Sequence, residues 1–312
     1  MKALQCTEKG VVLSDVPDPA PAPGEVVVKV LSAGICNTDQ ELARGYMGFR
    51  GVLGHEVLGL HAGKRVVMEI NCACGICATC RAGGRNHCPT RTVLGILGRD
   101  GGIAEFVRIP EENLHFLPDA IPDESAAFIE PLAAALHAFD EAAPRPGDRV
   151  CLLGDGKLGL LTGLALAARR GDLGRAVAVG RHRDKLAILE AAGLDVALES
   201  DFSETGFDLV VEATGQPAGL ARALAIVKPR GTIILKSTYA GVANIDLAPA
   251  VINENKIIGS RCGDFQRAID VLARGVVDPR PLLSARYPLA DAARAFARAA
   301  EPGVLKVLVL PS

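Results

Sequence analysis

Two hydrophobic patterns divide this chain. Up to about Pro122, short β-rich runs such as VVVKVL (26–31) and RVVMEI (65–70) are separated by turn residues, including Pro23-Gly24-Glu25. No long helical period occurs there, and the pattern predicts an all-β module. From Asp123 to Asp140 the sequence turns helical: ESAAFIEPLAAALHAFD is rich in Ala and Leu, and Pro131 is tolerated if the main helix takes it into its first turn. A strand-helix alternation follows. DRVCLL (148–153), RAVAVG (175–180), FDLVVEATG (207–215), GTIILKST (231–238) and NKIIGSR (255–261) read as strands. RDKLAILEAAG, QPAGLARALAIVKP and FQRAIDVLARG read as helices. This is the rhythm of a doubly wound parallel sheet with right-handed crossovers, so the fold class is α/β. The tail carries one more amphipathic helix and a closing strand, VLKVLVL, outside that rhythm. The chain is therefore expected to return to its first module, giving domains at 1–125 with 276–312 and at 126–275.

Composition narrows the possibilities. The length of 312 residues suits two domains. Apolar content is 49%, yet no uncharged apolar run is long enough to span a membrane. The N-terminal stretch lacks an apolar signal region, so a cytoplasmic location is expected. A formal charge of -2, with both signs mixed along the length, leaves no footprint for nucleic acid or anionic lipid. Five of the nine cysteines fall between Cys72 and Cys88, which in a reducing compartment reads as metal ligation.

Three motifs carry chemistry. Cys74, Cys77, Cys80 and Cys88 form C-x2-C-x2-C-x7-C, with Gly75, Gly83 and Gly84 letting the backbone curl around them. Four thiolates at this density match closed tetrahedral zinc, hence a structural ion with no position for substrate. Cys72 is left unassigned. The stretch Gly34–Glu56 offers the Cys36 thiol, the His55 imidazole and the Asp39 and Glu56 carboxylates, with the Thr38 hydroxyl two residues from the thiol. That mixed donor set suits zinc. Glu130 stands at a helix start, where an acid is also common for dipole reasons alone. The third motif is Gly154-Asp-Gly156-Lys157-Leu158-Gly159, between a buried strand and a helix, the context of a dinucleotide-binding turn. Thr214 and Ser237, near the ends of later strands, join the cofactor-binding set. At the end of the second strand, where NAD-binding folds carry an acid for the ribose hydroxyls, the chain has Gly180, followed by Arg181, His182, Arg183 and Lys185. A small residue followed by cations accommodates a 2′-phosphate, so NADP(H) is expected over NAD(H).

With these motifs on one chain, the sequence resembles the zinc-containing medium-chain dehydrogenase/reductase family of alcohol, polyol, threonine and sugar dehydrogenases, along nearly its whole length. The GIC-x-T-D motif is matched by Gly34, Ile35, Cys36, Thr38 and Asp39, and GHE by Gly54, His55 and Glu56. The resemblance implies a GroES-like catalytic domain beside a Rossmann domain, and a catalytic zinc held by Cys36 and His55 with Glu56 as ligand or near neighbour. Asp39 would hold the His55 ring, and Thr38 would take the substrate's proton. Glu130 falls where the alcohol-oxidising branch has a ligating Cys, and a carboxylate there resembles the polyol, sugar and threonine branches. The family implies a small-molecule alcohol or carbonyl substrate and a homodimer or homotetramer, assembled through the edge strand near 256–260.

This sequence departs from the family in three places. Gln40-Glu41 replaces the His of a proton relay, leaving Glu41 or water for that task. The connection GHEVLGLHAGKRV is shorter than usual, implying an open active-site rim. Lys236 is unexpected near the nicotinamide, where it would bind a polar substrate group or face solvent. Two rival functions remain: a zinc-independent quinone or enone reductase, which has no use for Cys36, His55, Glu56 and Glu130 together, and a non-catalytic NADP(H)-binding sensor. Two zinc ions per chain favour the zinc enzyme, and one favours the sensor.

Overall fold

A computed structural model describes residues 1–238 and 244–311. The chain forms two compact units, Met1–Glu130 with Phe265–Arg274 and Leu282–Ser312, and Pro131–Asp264 with Gly275–Pro281. Phe265–Arg274 was expected with the nucleotide-binding unit and instead clusters with the first.

The first unit is built on strands. Lys2–Thr7 (β1), Gly10–Asp15 (β2) and Gly51–Val52 (β4) make a three-stranded sheet. The main sheet unites Glu25–Ile35 (β3), Glu56–His61 (β5), Lys64–Met68 (β6), Phe106–Pro110 (β9) and Leu114–Phe116 (β10) with Leu283–Pro288 (β17) and Lys306–Leu310 (β18) from the far end of the chain. Asn71–Cys72 (β7) pairs with Thr92–Val93 (β8). The closing strand does return to the first unit: β18 pairs antiparallel with β3, setting Leu308 opposite Gly34, and β3 sets Gly34 opposite Glu56 on its other side. The shortened connection is a two-residue hairpin between β5 and β6. Ala62 and Gly63 both adopt positive φ, 49° and 75°, as a tight right-twisted hairpin requires.

The expectation of a purely β module is corrected by Asn37–Ala43 (α1) and Ala78–Arg81 (α2). These helices are too short for a hydrophobic period to register. Hydrogen bonds at its start define α1, where the Asp39 side chain accepts from the amide of Cys36. Farther on, Asp123–Ala126 (α3) precedes Ile129–Glu141 (α4), which takes Pro131 into its first turn as expected.

The second unit is a parallel sheet. Its strands are Arg149–Leu153 (β11), Arg175–Gly180 (β12), Asp195–Leu198 (β13), Phe207–Glu212 (β14), Val227–Leu235 (β15) and Lys256–Gly259 (β16). Their spatial order is β13-β12-β11-β14-β15-β16, so the chain direction across the sheet reverses between β11 and β14. That is the doubly wound dinucleotide-binding order, and ligands in such sheets bind at the strand C-termini beside the reversal. β11 is buried along nearly its whole length, which explains its unbroken apolar run. The short edge strand β13 is only half-buried and too weak to stand out in the sequence. Lys157–Ala167 (α5), Arg183–Ala191 (α6), Gly219–Ile226 (α7) and Ala248–Ile252 (α8) complete this unit, while Phe265–Ala273 (α9) and Ala292–Ala299 (α10) belong to the first. Among the described residues, no helix is long and apolar enough to cross a membrane.

Candidate active site and cofactor cleft

At the end of β3 the chain turns into α1, with Cys36 as the residue before its first turn. The fully buried Asp39 ties this turn to the next segment of the motif. Its Oδ2 accepts from the Cys36 amide at 2.8 Å, and its Oδ1 accepts from the Gly54 amide at 3.2 Å. One carboxylate thus fixes the spacing of Cys36 and His55. Cys36, His55 and Glu56 each offer a ligand atom within 4.8 Å of the others. The His55 Nδ1 lies 3.5 Å from Asp39 Oδ1, an ion-pair distance without a formed hydrogen bond, so Asp39 acts on the ring electrostatically while its hydrogen bonds serve the backbone. Burial disfavours a charged imidazole, but Asp39 and Cys36 outweigh it and hold His55 well above its usual range.

A lysine that sequence reading missed completes this cluster. Lys306, on β18, donates from Nζ to Glu56 Oε2, and both residues are buried. The bond reaches across the intervening strand because Gly34 has no side chain: a Cβ there would collide with that oxygen. Burial disfavours the ammonium, yet Glu56, Cys36 and Glu130 keep its pKa raised. The available signal was a lysine inside the apolar run VLKVLVL. Glu130 belongs to the same electrostatic neighbourhood but lies outside the three-residue cluster. Burial pushes its carboxyl up to about 7, with Glu56 and Glu69 adding to the effect and His55 and Lys306 opposing it. Thr38 Oγ1 lies 3.8 Å from Cys36 Sγ.

The donors fit a zinc ion. They combine sulfur, nitrogen and oxygen, the mixed donor set that suits a borderline-soft divalent cation. Glu56 Oε1 is also buried without a hydrogen-bond partner, the condition of an atom suited to ligation. The replaced relay residues are engaged elsewhere. Gln40 Nε2 donates to the Phe296 carbonyl at 2.9 Å, and Glu41 pairs with Arg44 at 2.5 Å.

The four sulfurs of the C-x2-C-x2-C-x7-C stretch also gather. Cys77–Cys80 and Cys74–Cys88 are 3.4 and 3.6 Å apart, and Cys74–Cys80 and Cys77–Cys88 are each 4.0 Å apart. The edge of a tetrahedron with zinc–sulfur bonds of about 2.3 Å is about 3.8 Å, so these separations bracket it. They are far too long for disulfides. Cys72 stands apart, with Asn113 Nδ2 3.7 Å from its sulfur, and burial pushes its thiol up to about 11.

In the second unit a cavity of ≈ 240 Å³ opens at the strand C-termini, lined by Gly154, Asp155, Gly180, Arg181, Glu199 and Thr214, among others. The three motif glycines have separate reasons. Gly154 has φ 115°, and a Cβ would lie 2.5 Å from the Ala213 carbonyl. A Cβ on Gly156 would meet nothing within 4 Å, leaving its backbone open to a phosphate, while Gly159 packs against the Gly154 carbonyl. Lys157 and Leu158 open α5. Thr214 Oγ1 donates to Glu212 at 2.5 Å, and Ser237 Oγ accepts from the Gly215 amide at 2.8 Å, so both hydroxyls hold loops in place. Of the basic run, Arg181 lines the cavity, Arg183 pairs with Glu190 at 3.2 Å, and Lys185 sits half-buried in α6. His182 Nδ1 lies 2.9 Å from Asp155 Oδ2. The second strand ends in Gly180 as read from the sequence, and the Asp155 side chain, from the glycine-rich turn, fills the space beside it. The expectation that Lys236 faces solvent is corrected. It is buried, and its ammonium donates to Ala134 O, Ser260 Oγ and Arg261 O at 2.6, 3.2 and 3.3 Å.

Comparison with known proteins agrees with this architecture. Residues 22–119 match the alcohol dehydrogenase GroES-like domain, and residues 158–274 match the zinc-binding dehydrogenase domain. L-threonine 3-dehydrogenase of Streptomyces avermitilis is 31% identical, with 99% of each chain covered. L-galactonate-5-dehydrogenase of Escherichia coli K12 is 30% identical, covering 96% of this chain and 95% of the other. Among solved structures, the rspB alcohol dehydrogenase of Escherichia coli CFT073 with NADH superposes with a TM-score of 0.91 at 26% identity, with 99% of each chain covered. A zinc-binding dehydrogenase of Sinorhizobium meliloti 1021 bound to NADP gives 0.90 at 28%, again over 99% of each chain.

Proposed function

Since the chain belongs to the zinc-containing medium-chain dehydrogenase/reductase family and is an NAD(P)-dependent oxidoreductase of hydroxylated substrates, we propose that it is a zinc-dependent dehydrogenase of a polyol, sugar, hydroxy amino acid or secondary alcohol. The observation that carries this reading is the convergence of half-buried Cys36 with buried His55 and Glu56. Zinc at this place would supply Lewis acidity toward the substrate oxygen. Cys36 and His55 would hold it, with Glu56 and Glu130 as the nearby carboxylates. Asp39 would keep the two ligand segments in register, and Thr38 would pass the substrate hydroxyl proton outward. Gly154, Gly156 and Gly159 would seat the cofactor's pyrophosphate. The four-cysteine lobe would hold a second, structural zinc.

NADP(H) is supported by Arg181 on the cavity wall and by His182 and Lys185, which follow it in the chain. NAD(H) is a second reading, supported by Asp155 on the same wall. Titration with both cofactors decides between them, and equal or tighter binding of NADH would refute the NADP(H) preference. A homodimer or homotetramer is supported by the edge position of β16 and by the exposure of Val251 (76%) and Ile252 (78%) on neighbouring α8.

The functional test joins metal analysis to a cofactor-reduction screen over polyols, aldoses, cyclitols and threonine. Two zinc ions per chain and turnover of one substrate class are expected. Cys36→Ala should abolish that turnover while leaving cofactor binding largely intact. Wild-type activity in the Cys36 variant would remove the zinc mechanism.

A further inference from the structure

In doubly wound dinucleotide-binding folds, the acid that receives the adenosine ribose hydroxyls stands at the end of the second strand. Here that strand ends in Gly180, and the space its side chain would take is filled from another part of the chain. A Cβ on Gly180 would lie 2.6 Å from the Cβ of Asp155 and 2.7 Å from its Cγ. Asp155 comes from the glycine-rich turn, between Gly154 and Gly156.

The two oxygens of this carboxylate have different surroundings. Oδ2 accepts from the Arg181 amide at 2.8 Å, the His182 amide at 2.6 Å and His182 Nδ1 at 2.9 Å. Among the described residues nothing donates to Oδ1, although Asp155 is only 6% exposed and lines the cavity. Burial opposes ionisation, but the hydrogen bonds from His182 and Arg181 outweigh it and keep the carboxyl below its usual range. The result is a fixed anion on the cavity wall with one saturated oxygen and one open acceptor.

We propose that Asp155 is the specificity-determining acid of the adenosine subsite: its Oδ1 accepts from the ribose hydroxyls, its charge disfavours a 2′-phosphate, and Gly180 leaves room for it. This rests on the reading of the cavity as a nicotinamide dinucleotide site. Arg181, on the same wall, pulls in the opposite direction, so cofactor choice is a balance between these two residues.

The test is fluorescence titration of the intact, metal-loaded protein with NADH and with NADPH, for wild type, Asp155→Asn and Gly180→Ala. Asparagine keeps an oxygen for the two loop amides while removing the charge. Alanine at position 180 displaces the carboxylate without altering it. Both variants should shift the ratio of the two dissociation constants toward NADPH by about tenfold, the worth of one hydrogen bond to a charged group. If the wild type binds either cofactor and the ratio is unchanged in whichever variants fold, Asp155 serves only to brace the loop and the inference is overturned. If the wild type binds neither, the dinucleotide reading falls and takes this inference with it.

Discussion

Replacing Lys306 by methionine would leave the Glu56 carboxylate in a buried site without its cation. Lys306 is 5% exposed and Glu56 1%, so water screens neither. Methionine keeps the length of the side chain and its contact with Phe128, whose ring centre lies 5.7 Å from Nζ. The substitution therefore removes the charge and little of the packing. Breaking a buried pair by deleting one partner typically costs about 3–5 kcal/mol, because the remaining charge is uncompensated. For a domain of this size each kcal/mol lowers Tm by about 2–4 °C, so a fall of about 6–20 °C is expected. Differential scanning calorimetry should be run on zinc-loaded and EDTA-treated protein. Zinc bound beside Glu56 would supply another cation, so the deficit should be larger after chelation. Lys306→Met combined with Glu56→Gln should be less damaging than Lys306→Met alone, since the stranded charge is gone. Gly34→Ala offers an independent perturbation: its methyl group would be driven into the carboxylate and should cost about 1–3 kcal/mol in urea unfolding. The reasoning would be refuted if Lys306→Met melted within about 2 °C of wild type in both states, or if the double variant were no more stable than the single one.

Three further outcomes follow from other parts of the molecule. Cys77→Ala should lower the metal content by one zinc per chain and reduce Tm, while Cys36→Ala should remove activity with a much smaller change in Tm; equal thermal losses would contradict the separation into structural and catalytic sites. The Glu204 carboxyl is held below its usual range chiefly by its hydrogen bond from Arg175 at 2.7 Å. A depressed folded-state pKa stabilises above the unfolded value of about 4.3 and loses that contribution as pH falls through the folded value. Wild type should therefore exceed Glu204→Gln in stability at pH 7, with the gap narrowing below about pH 4, and a constant gap across urea melts in that range would show that ionisation is not its source. Ile252→Asp should reduce the assembled fraction in sedimentation velocity if α8 and β16 lie at the interface between copies; an unchanged distribution would place the interface elsewhere.

The sequence by itself determined what repeats locally or is written in fixed spacings. The buried apolar strand β11, the glycine turn after it, the strand-helix alternation and the four-cysteine lobe could be read because each is specified by neighbours within about a dozen residues. The pairing of Cys36 with His55 was legible for a related reason, through two short motifs. Only the tertiary structure decided which distant groups share one environment. Lys306 reaches Glu56 because β18 returns beside β3 and Gly34 leaves the way open, a juxtaposition of three strands that no local pattern encodes. The same holds for Asp155, which takes the place left vacant at Gly180, and for Lys236, whose charge is absorbed by carbonyls and a hydroxyl. Periodicity reports which face of an element is buried. The partner that a buried charge finds depends on strand order and on the space a missing side chain leaves, and both are settled only when the chain has folded.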